Sequence, residues 1–281
     1  MKRHLLSIAV AACWLLNSLP AGAQSAPKAP DFFNQKERLA LPSLQGLSRL
    51  RFVTTLDFPP FNALNEAGQL SGYNVDLAKA LCSQMGLSDI CQIEAVPWNE
   101  LEARLESGDA EAIIAGFSAN PQNREKFVFT RAYMRLPARF ATIKANRFSE
   151  PASIAVRGKN VGVLAGTAHE QLLKAYFPQA LAKPYPDRAA LLTALQKSEV
   201  DAAFDDGMAL SFWLESDQAN DCCSFVDGPY LAPQYLGSGL SIAVAPKNAS
   251  LASAFNSALQ SLQQQGKLTE LYLRYFPNSF Y

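Results

Sequence analysis

The chain has 281 residues, 25 of them basic and 25 acidic, and 49% of it is hydrophobic. A balance this even argues against a nucleic-acid partner or an anionic membrane surface, both of which select a basic surplus. The length and apolar content suffice for one large packed domain or two modest ones. Lys2, Arg3 and His4 precede an apolar run from Leu5 to Leu19 and the small triplet Ala21-Gly22-Ala23. That order predicts a cleavable secretory signal peptide over residues 1–23, with the mature chain starting near Gln24. The run is shorter than the roughly 20 apolar residues of a spanning helix. Val10-Ala11-Ala12-Cys13 offers a lipid-attachment alternative, but the apolar run continues past it through Trp14, Leu15 and Leu16. Without Lys2 and Arg3 the mature chain carries two more acidic than basic residues.

Residues 24–46 hold prolines and little periodicity, and read as a mobile leader. Arg51 to Thr55 predicts a strand, Pro59-Pro60 breaks it, and Asn65 to Gly68 supplies a turn. Val75, Ala78, Leu81, Cys82 and Met85 recur at helical spacing behind Asn74 as a cap, and Gly86 ends the run. Ile90 to Val96 reads as a strand, Asn99 as the cap of a short helix carrying Leu101 and Leu105, and Ala112 to Ala115 as a buried strand. The grammar restarts with a strand from Asn160 to Leu164, a turn at Gly166-Thr167, and a helix from Ala168 to Phe177 stopped by Pro178. A helix from Asp187 to Ser198 and a strand from Val200 to Phe204 follow, then a strand from Ser238 to Ala245. Two helices close the chain, Ser250 to Gln265 capped by Ser250, and Leu268 to Phe276. Strands alternating with helices at this spacing predict parallel α/β sheets, and the restart predicts two of them.

Four cysteines survive cleavage, which suits an oxidising compartment. Cys82 and Cys91 would join the end of a helix to the start of the next strand; the alternative is two buried thiols. Cys222 and Cys223 are neighbours, for which a bond and free thiols stay equally open.

Gly72-Tyr-Asn-Val-Asp-Leu-Ala-Lys79, Pro59-Pro-Phe61, Val96-Pro-Trp98, Leu105-Glu-Ser-Gly-Asp109, Ala112-Ile-Ile-Ala-Gly116, Phe129-Thr130 and Tyr133 form one ordered series. Val161 to Thr167, Val200 to Asp206, and Gln265 through Phe276 extend it. In that order the motifs resemble the bacterial extracellular solute-binding proteins, family 3, which serve ABC importers of polar amino acids. The resemblance covers about residues 50 to 277. It implies a type II periplasmic binding protein fold, two α/β lobes joined by two crossing strands with a ligand cleft between. Lobe one would be 47–140 with 238–281, and lobe two 141–237. A Cys pair placed like Cys82 and Cys91 occurs as a disulfide in some members.

An amino acid presents a carboxylate and an ammonium, so its cleft needs a cation or several N–H donors beside an anion. Arg124 is the expected carboxylate clamp, because a planar guanidinium makes two parallel bonds to a carboxylate. Here the chain departs from the family, whose usual Thr-x-Thr-Pro-Glu-Arg becomes Asn120-Pro-Gln-Asn-Arg124, with the arginine one residue late. The alternative for Arg124 is a surface pairing with Glu125. Thr167 and Ala168, opening a helix, would donate backbone N–H groups to the same carboxylate. Asp206, at the end of a buried strand, would meet the ammonium, while Asp205 reads as a surface acid. Ser118 would add a hydroxyl and Gly116 a carbonyl, and Phe58 and Trp98 align with the family's aromatic sandwich of the ligand side chain. Thr55 stands where basic-ligand members carry an acid, which favours a neutral ligand and leaves a basic one open.

His169 is the single histidine of the mature chain and reads as a surface residue. No nucleophile elbow and no metal-ligand spacing accompany it, so the expectation is a monomeric binder without catalytic residues, metal or cofactor. Its partners would be a small amino-acid-like ligand and a membrane permease, with closure of the lobes as the mechanism. The rival readings are a cyclohexadienyl dehydratase acting on arogenate or prephenate on the same fold, and a ligand-presenting partner of a sensor.

Overall fold

The computed structural model describes residues 30–34, 36–39, 42–277 and 279–281. The signal-peptide and lipid-attachment readings fall outside these residues. The first half runs β1 (Leu50–Thr54), β2 (Ala63–Leu64), β3 (Leu70–Ser71), α1 (Tyr73–Gln84), β4 (Cys91–Ala95), α2 (Leu101–Ser107), β5 (Ala112–Ile113), α3 (Pro121–Arg124) and β6 (Val128–Phe129). Next come β7 (Ala138–Ile143), α4 (Ala152–Ala155), β8 (Asn160–Leu164), α5 (Ala168–Tyr176), β9 (Leu181–Tyr185), α6 (Arg188–Gln196), β10 (Ala202–Asp206) and α7 (Gly207–Glu215). The chain ends with β11 (Cys223–Tyr230), α8 (Pro233–Leu236), β12 (Ala243–Val244), α9 (Ala249–Gln264) and α10 (Lys267–Tyr275).

Two five-stranded sheets form, in the orders β4-β1-β5-β12-β6 and β11-β7-β10-β8-β9. In the first, β1 is parallel to β4 and β5 while β12 runs antiparallel to its neighbours. In the second, β8 is parallel to β9 and β10, and β7 runs antiparallel to β10 and β11. Each sheet is buried on both faces, as parallel sheets covered by helices are. Thus Phe52 joins a core with Leu77, Phe255 and Tyr272, while its neighbour Val53 joins Leu101, Leu105 and Ile113 on the other face. Phe204 and Ala203 divide in the same way between the two cores of the second sheet. The chain passes between the sheets at residues 134–137 and 237–240, and these segments pair: Tyr133 donates to the Leu240 carbonyl at 2.9 Å, and Leu240 to Met134 at 2.7 Å.

Several local expectations change. Asn74 is not the cap of α1; Gly72 is, at φ +129°, where a Cβ would lie 2.3 Å from the Phe61 carbonyl oxygen. Asn99 sits inside a 3₁₀ turn, Trp98–Glu100, and Glu100 precedes α2. Ser250 lies within α9, whose first cap is Asn248. The strand expected from Ser238 is only β12, because the residues before it are the crossing segment. β7, β9, β11 and α7 were not foreseen. Part of the expected mobile leader is docked: Phe33 is only 4% exposed, and Gln260 Nε2 donates to the carbonyls of Asn34 and Glu37 at 2.9 and 2.7 Å. Disulfides join Cys82 to Cys91, tying the end of α1 to β4, and Cys222 to Cys223.

Candidate functional site

Open α/β sheets bind ligands beyond the C-terminal ends of their parallel strands. In the first sheet those ends belong to β1, β4 and β5, and the loops after them carry Phe58, Trp98, Gly116 and Ser118. Phe58 donates its N–H to Asn62 at 3.1 Å and stacks on Phe61, with centroids 4.6 Å apart and planes 14° from parallel. Gly116, at φ +77°, lies under that ring; a Cβ there would stand 2.6 Å from Phe58 Cε1. Only glycine lets β5 run this close to the ring. Trp98 is 52% exposed and packs on Phe117 at 5.9 Å.

The loop between Ser118 and Arg124 is fixed by its asparagines. Asn120 and Asn123 cap α3 reciprocally, each side chain accepting the other's N–H at 2.8 Å. Asn123 Nδ2 then donates to the Ser118 carbonyl at 2.9 Å. The inward position is therefore held by Asn123, and Arg124, one residue on, is exposed with its guanidinium 5.8 Å from the Phe129 ring centroid. Phe129 stacks on Phe117 at 5.7 Å, so a row of rings connects Arg124 to Trp98. Phe58 and Gly116 meet in the neighbouring loop cluster, which Asn123 joins through Ser118.

Beneath Phe58 lies a buried polar chain that sequence reasoning missed. Tyr133 donates to Asn74 Oδ1 at 2.8 Å, Asn74 to Asn62 Oδ1 at 2.8 Å, and Asn62 to the Thr55 hydroxyl and carbonyl at 2.8 and 3.1 Å. Burial raises the Tyr133 phenol well above its ordinary value, so it stays a donor. Asn74 reads as a cap by spacing alone, yet its side chain is needed inside.

In the second sheet the corresponding ends are those of β8, β9 and β10. Thr167 caps α5: its hydroxyl accepts from Glu170 N–H at 3.3 Å and donates to the Leu164 carbonyl at 2.8 Å. Glu170 in turn accepts the Gly166 N–H at 2.7 Å, tying the residue before the cap to the first turn. The N–H groups of Thr167 and Ala168 belong to the start of α5, where neither has an intrahelical partner.

Asp205 is not a surface acid. It is 0% exposed and receives a fork from Arg188, Nε to Oδ2 at 2.5 Å and Nη2 to Oδ1 at 3.2 Å. His169 is drawn in beside it, Nδ1 3.9 Å from Asp205 Oδ1 with a side chain only 17% exposed, which corrects its reading as a surface residue. Asp206 caps α7, its Oδ1 accepting from Ala209 N–H at 2.7 Å, while its own N–H donates to Asp205 Oδ1 at 2.8 Å. Burial raises the Asp206 carboxyl above its ordinary range, against the opposing pull of that cap bond, His169 and Arg188. The signal for Arg188 was present: a cation at the first position of a helix opposes the helix dipole and calls for a local anion. Among the described residues no group of three or more His, Cys, Asp and Glu side chains could hold a metal ion.

The family pattern of the bacterial extracellular solute-binding proteins, family 3, matches residues 50–278. A putative ABC transporter arginine-binding protein 2 of Escherichia coli is 28% identical over 81% of this chain and 90% of its own. The L-arginine-binding protein of Pseudomonas aeruginosa is 27% identical over 86% of this chain and 93% of its own. Among solved structures, the L-cystine solute receptor of Neisseria gonorrhoeae in its unliganded open conformation superposes with a TM-score of 0.69 at 20% identity, over 83% of this chain and 94% of that one. An ancestral cyclohexadienyl dehydratase shares the fold with a TM-score of 0.66 at 19% identity, over 82% of this chain and 93% of that one.

Proposed function

This chain belongs to the bacterial extracellular solute-binding proteins, family 3, and from that premise we propose that it is the periplasmic binding component of an amino-acid ABC importer. It is a monomeric binder, not an enzyme, exported by a cleaved signal peptide, and its lobes close on a zwitterion before docking on a membrane permease. The lobes are taken as 47–137 with 238–281, and 138–237; the division expected at 140 moves back so that β7 stays whole within its sheet.

One observation carries the reading: the C-terminal edges of the two sheets bear unlike sets of groups. The first offers the exposed Trp98 and the partly exposed Phe58 ring with the Ser118 hydroxyl and the Gly116 carbonyl. The second offers the N–H groups of Thr167 and Ala168 to a carboxylate and the second oxygen of Asp206 to an ammonium. Arg188 and Asp205 cancel, which leaves the carboxylate of Asp206 beside them. A ligand of one net positive charge balances it, and the aromatic faces accept a cationic side chain as readily as an apolar one. The ligand is therefore a basic amino acid, the class named in the arginine-binding relatives.

A thermal-shift screen of the twenty amino acids and their common derivatives tests this. A ligand at 100 times its Kd adds about 2.7 kcal/mol to stability, and the largest rise in Tm is expected for arginine or lysine. Absence of any shift, or formation of phenylalanine or phenylpyruvate from arogenate or prephenate, would overturn the proposal.

A further inference from the structure

A guanidinium has two edges that can grip a planar carboxylate, one made by Nε and Nη2 and the other by Nη1 and Nη2. In Arg188 the first edge is committed, because Nε and Nη2 bond the two oxygens of Asp205. Asp205 is fully buried while the Arg188 side chain is 42% exposed, so the anchor lies inside and the arginine is not covered over. Arg188 is the first residue of α6, and His169 of α5, 3.9 Å from the same Asp205 carboxylate, brings the start of α5 to the same end of the second sheet. Arg188 and His169 both stand against Asp205, whose Oδ1 also accepts the Asp206 N–H, which places cation, imidazole and second carboxylate within one small region.

We propose that Arg188, and not Arg124, is the specificity-determining cation of the site: fixed by Asp205 through one edge, it offers the other to the carboxylate of the ligand. The inference rests on the amino-acid-binding reading above. Its consequence is that both poles of the amino-acid head group are received by the second lobe, the carboxylate by Arg188 with the start of α5 and the ammonium by Asp206. The first lobe then supplies faces for the side group. Asp205 acts as a positioning residue. An arginine side chain free in water loses rotamer entropy when it binds, and one already held in a fork loses less. Arg124 is exposed over Phe129, among the described residues no carboxylate holds it in a fork, and Asn123 takes the inward position on its loop.

The test is calorimetry on the full mature chain with L-arginine and agmatine, which is arginine without its carboxylate. If the screen prefers lysine, the pair is lysine with cadaverine. Wild type is expected to bind the amino acid far more tightly than the amine. Arg188→Lys keeps the charge opposite Asp205 but has no second edge, and is expected to weaken amino-acid binding roughly 10- to 100-fold while leaving amine binding within about threefold. Arg124→Gln, at an exposed position that tolerates substitution, is expected to leave both unchanged. Wild-type affinity in Arg188→Lys, or loss of amino-acid binding in Arg124→Gln, overturns the proposal. Should Arg188→Lys not fold, the double variant Arg188→Gln, Asp205→Asn, which removes both charges of the pair together, is read in the same way, and wild-type amino-acid affinity in it overturns the proposal. A wild-type chain that binds no amino acid condemns the functional reading itself, a different outcome from either.

Discussion

Asp206→Asn removes a charge and keeps a helix cap, so it separates two roles that Asp206→Ala abolishes together. Asp206 Oδ1 accepts the Ala209 N–H at 2.7 Å, and asparagine caps helices as well as aspartate does. Alanine cannot, and loss of the cap costs about 0.5–2 kcal/mol of stability. The ammonium contact is larger: truncating one partner of a buried, hydrogen-bonded charge pair costs about 2–5 kcal/mol, or roughly 30- to 5,000-fold in Kd. Burial raises the Asp206 carboxyl, so without ligand the lost charge relieves a desolvation penalty. Asp206→Asn is therefore expected to be at least as stable as wild type in urea unfolding, yet to bind the preferred amino acid weaker by that factor in titration calorimetry. Asp206→Ala loses both. Wild-type affinity in Asp206→Asn would refute the ammonium role, and instability equal to that of Asp206→Ala would refute the cap.

The pH dependence of the same residue has opposite signs for folding and binding. With a raised native pKa, its contribution to stability is present below the unfolded value and is lost as pH rises through the native one; binding needs the carboxylate and weakens as pH falls through that value. A calorimetric series across the acidic range should show this in wild type and not in Asp206→Asn. Gly116→Ala brings a Cβ to 2.6 Å from Phe58 Cε1 at φ +77°, and is expected to cost about 1–3 kcal/mol of stability and to weaken binding as the ring is displaced; equal melting curves and affinity would contradict the packing. The Cys82–Cys91 bond closes a loop of nine residues' separation, so the double Cys82→Ala, Cys91→Ala variant should lose about 2–3 kcal/mol in urea unfolding without change in ligand preference.

Elements with strong periodicity were readable from the sequence. α1, β8, α5 and α6 fall within two residues of their expected ends, because apolar spacing and the flanking caps Thr167 and Asp187 are local signals. β7 and β11 were invisible for the opposite reason: their identity comes from pairing across the sheet, Ala138 with Asp206 on one side and Tyr230 on the other. The loops bearing Phe58, Gly116, Ser118 and Thr167 could be located from motifs. What the motifs could not give was the direction of side chains set by tertiary contacts. A one-residue shift left Arg124 over Phe129 and turned Asn123 inward. Arg188 lies 17 positions from the Asp205 it grips, a separation that no local pattern reports.

Small-angle X-ray scattering of the mature chain, alone and saturated with the amino acid that raises its Tm most, addresses the two-lobe mechanism directly. A radius of gyration that shrinks on saturation is the predicted result, since the dipolar ligand draws aromatic and charged edges together. Saturable binding by calorimetry with an unchanged radius would contradict closure and leave a rigid, one-sided receptor in its place.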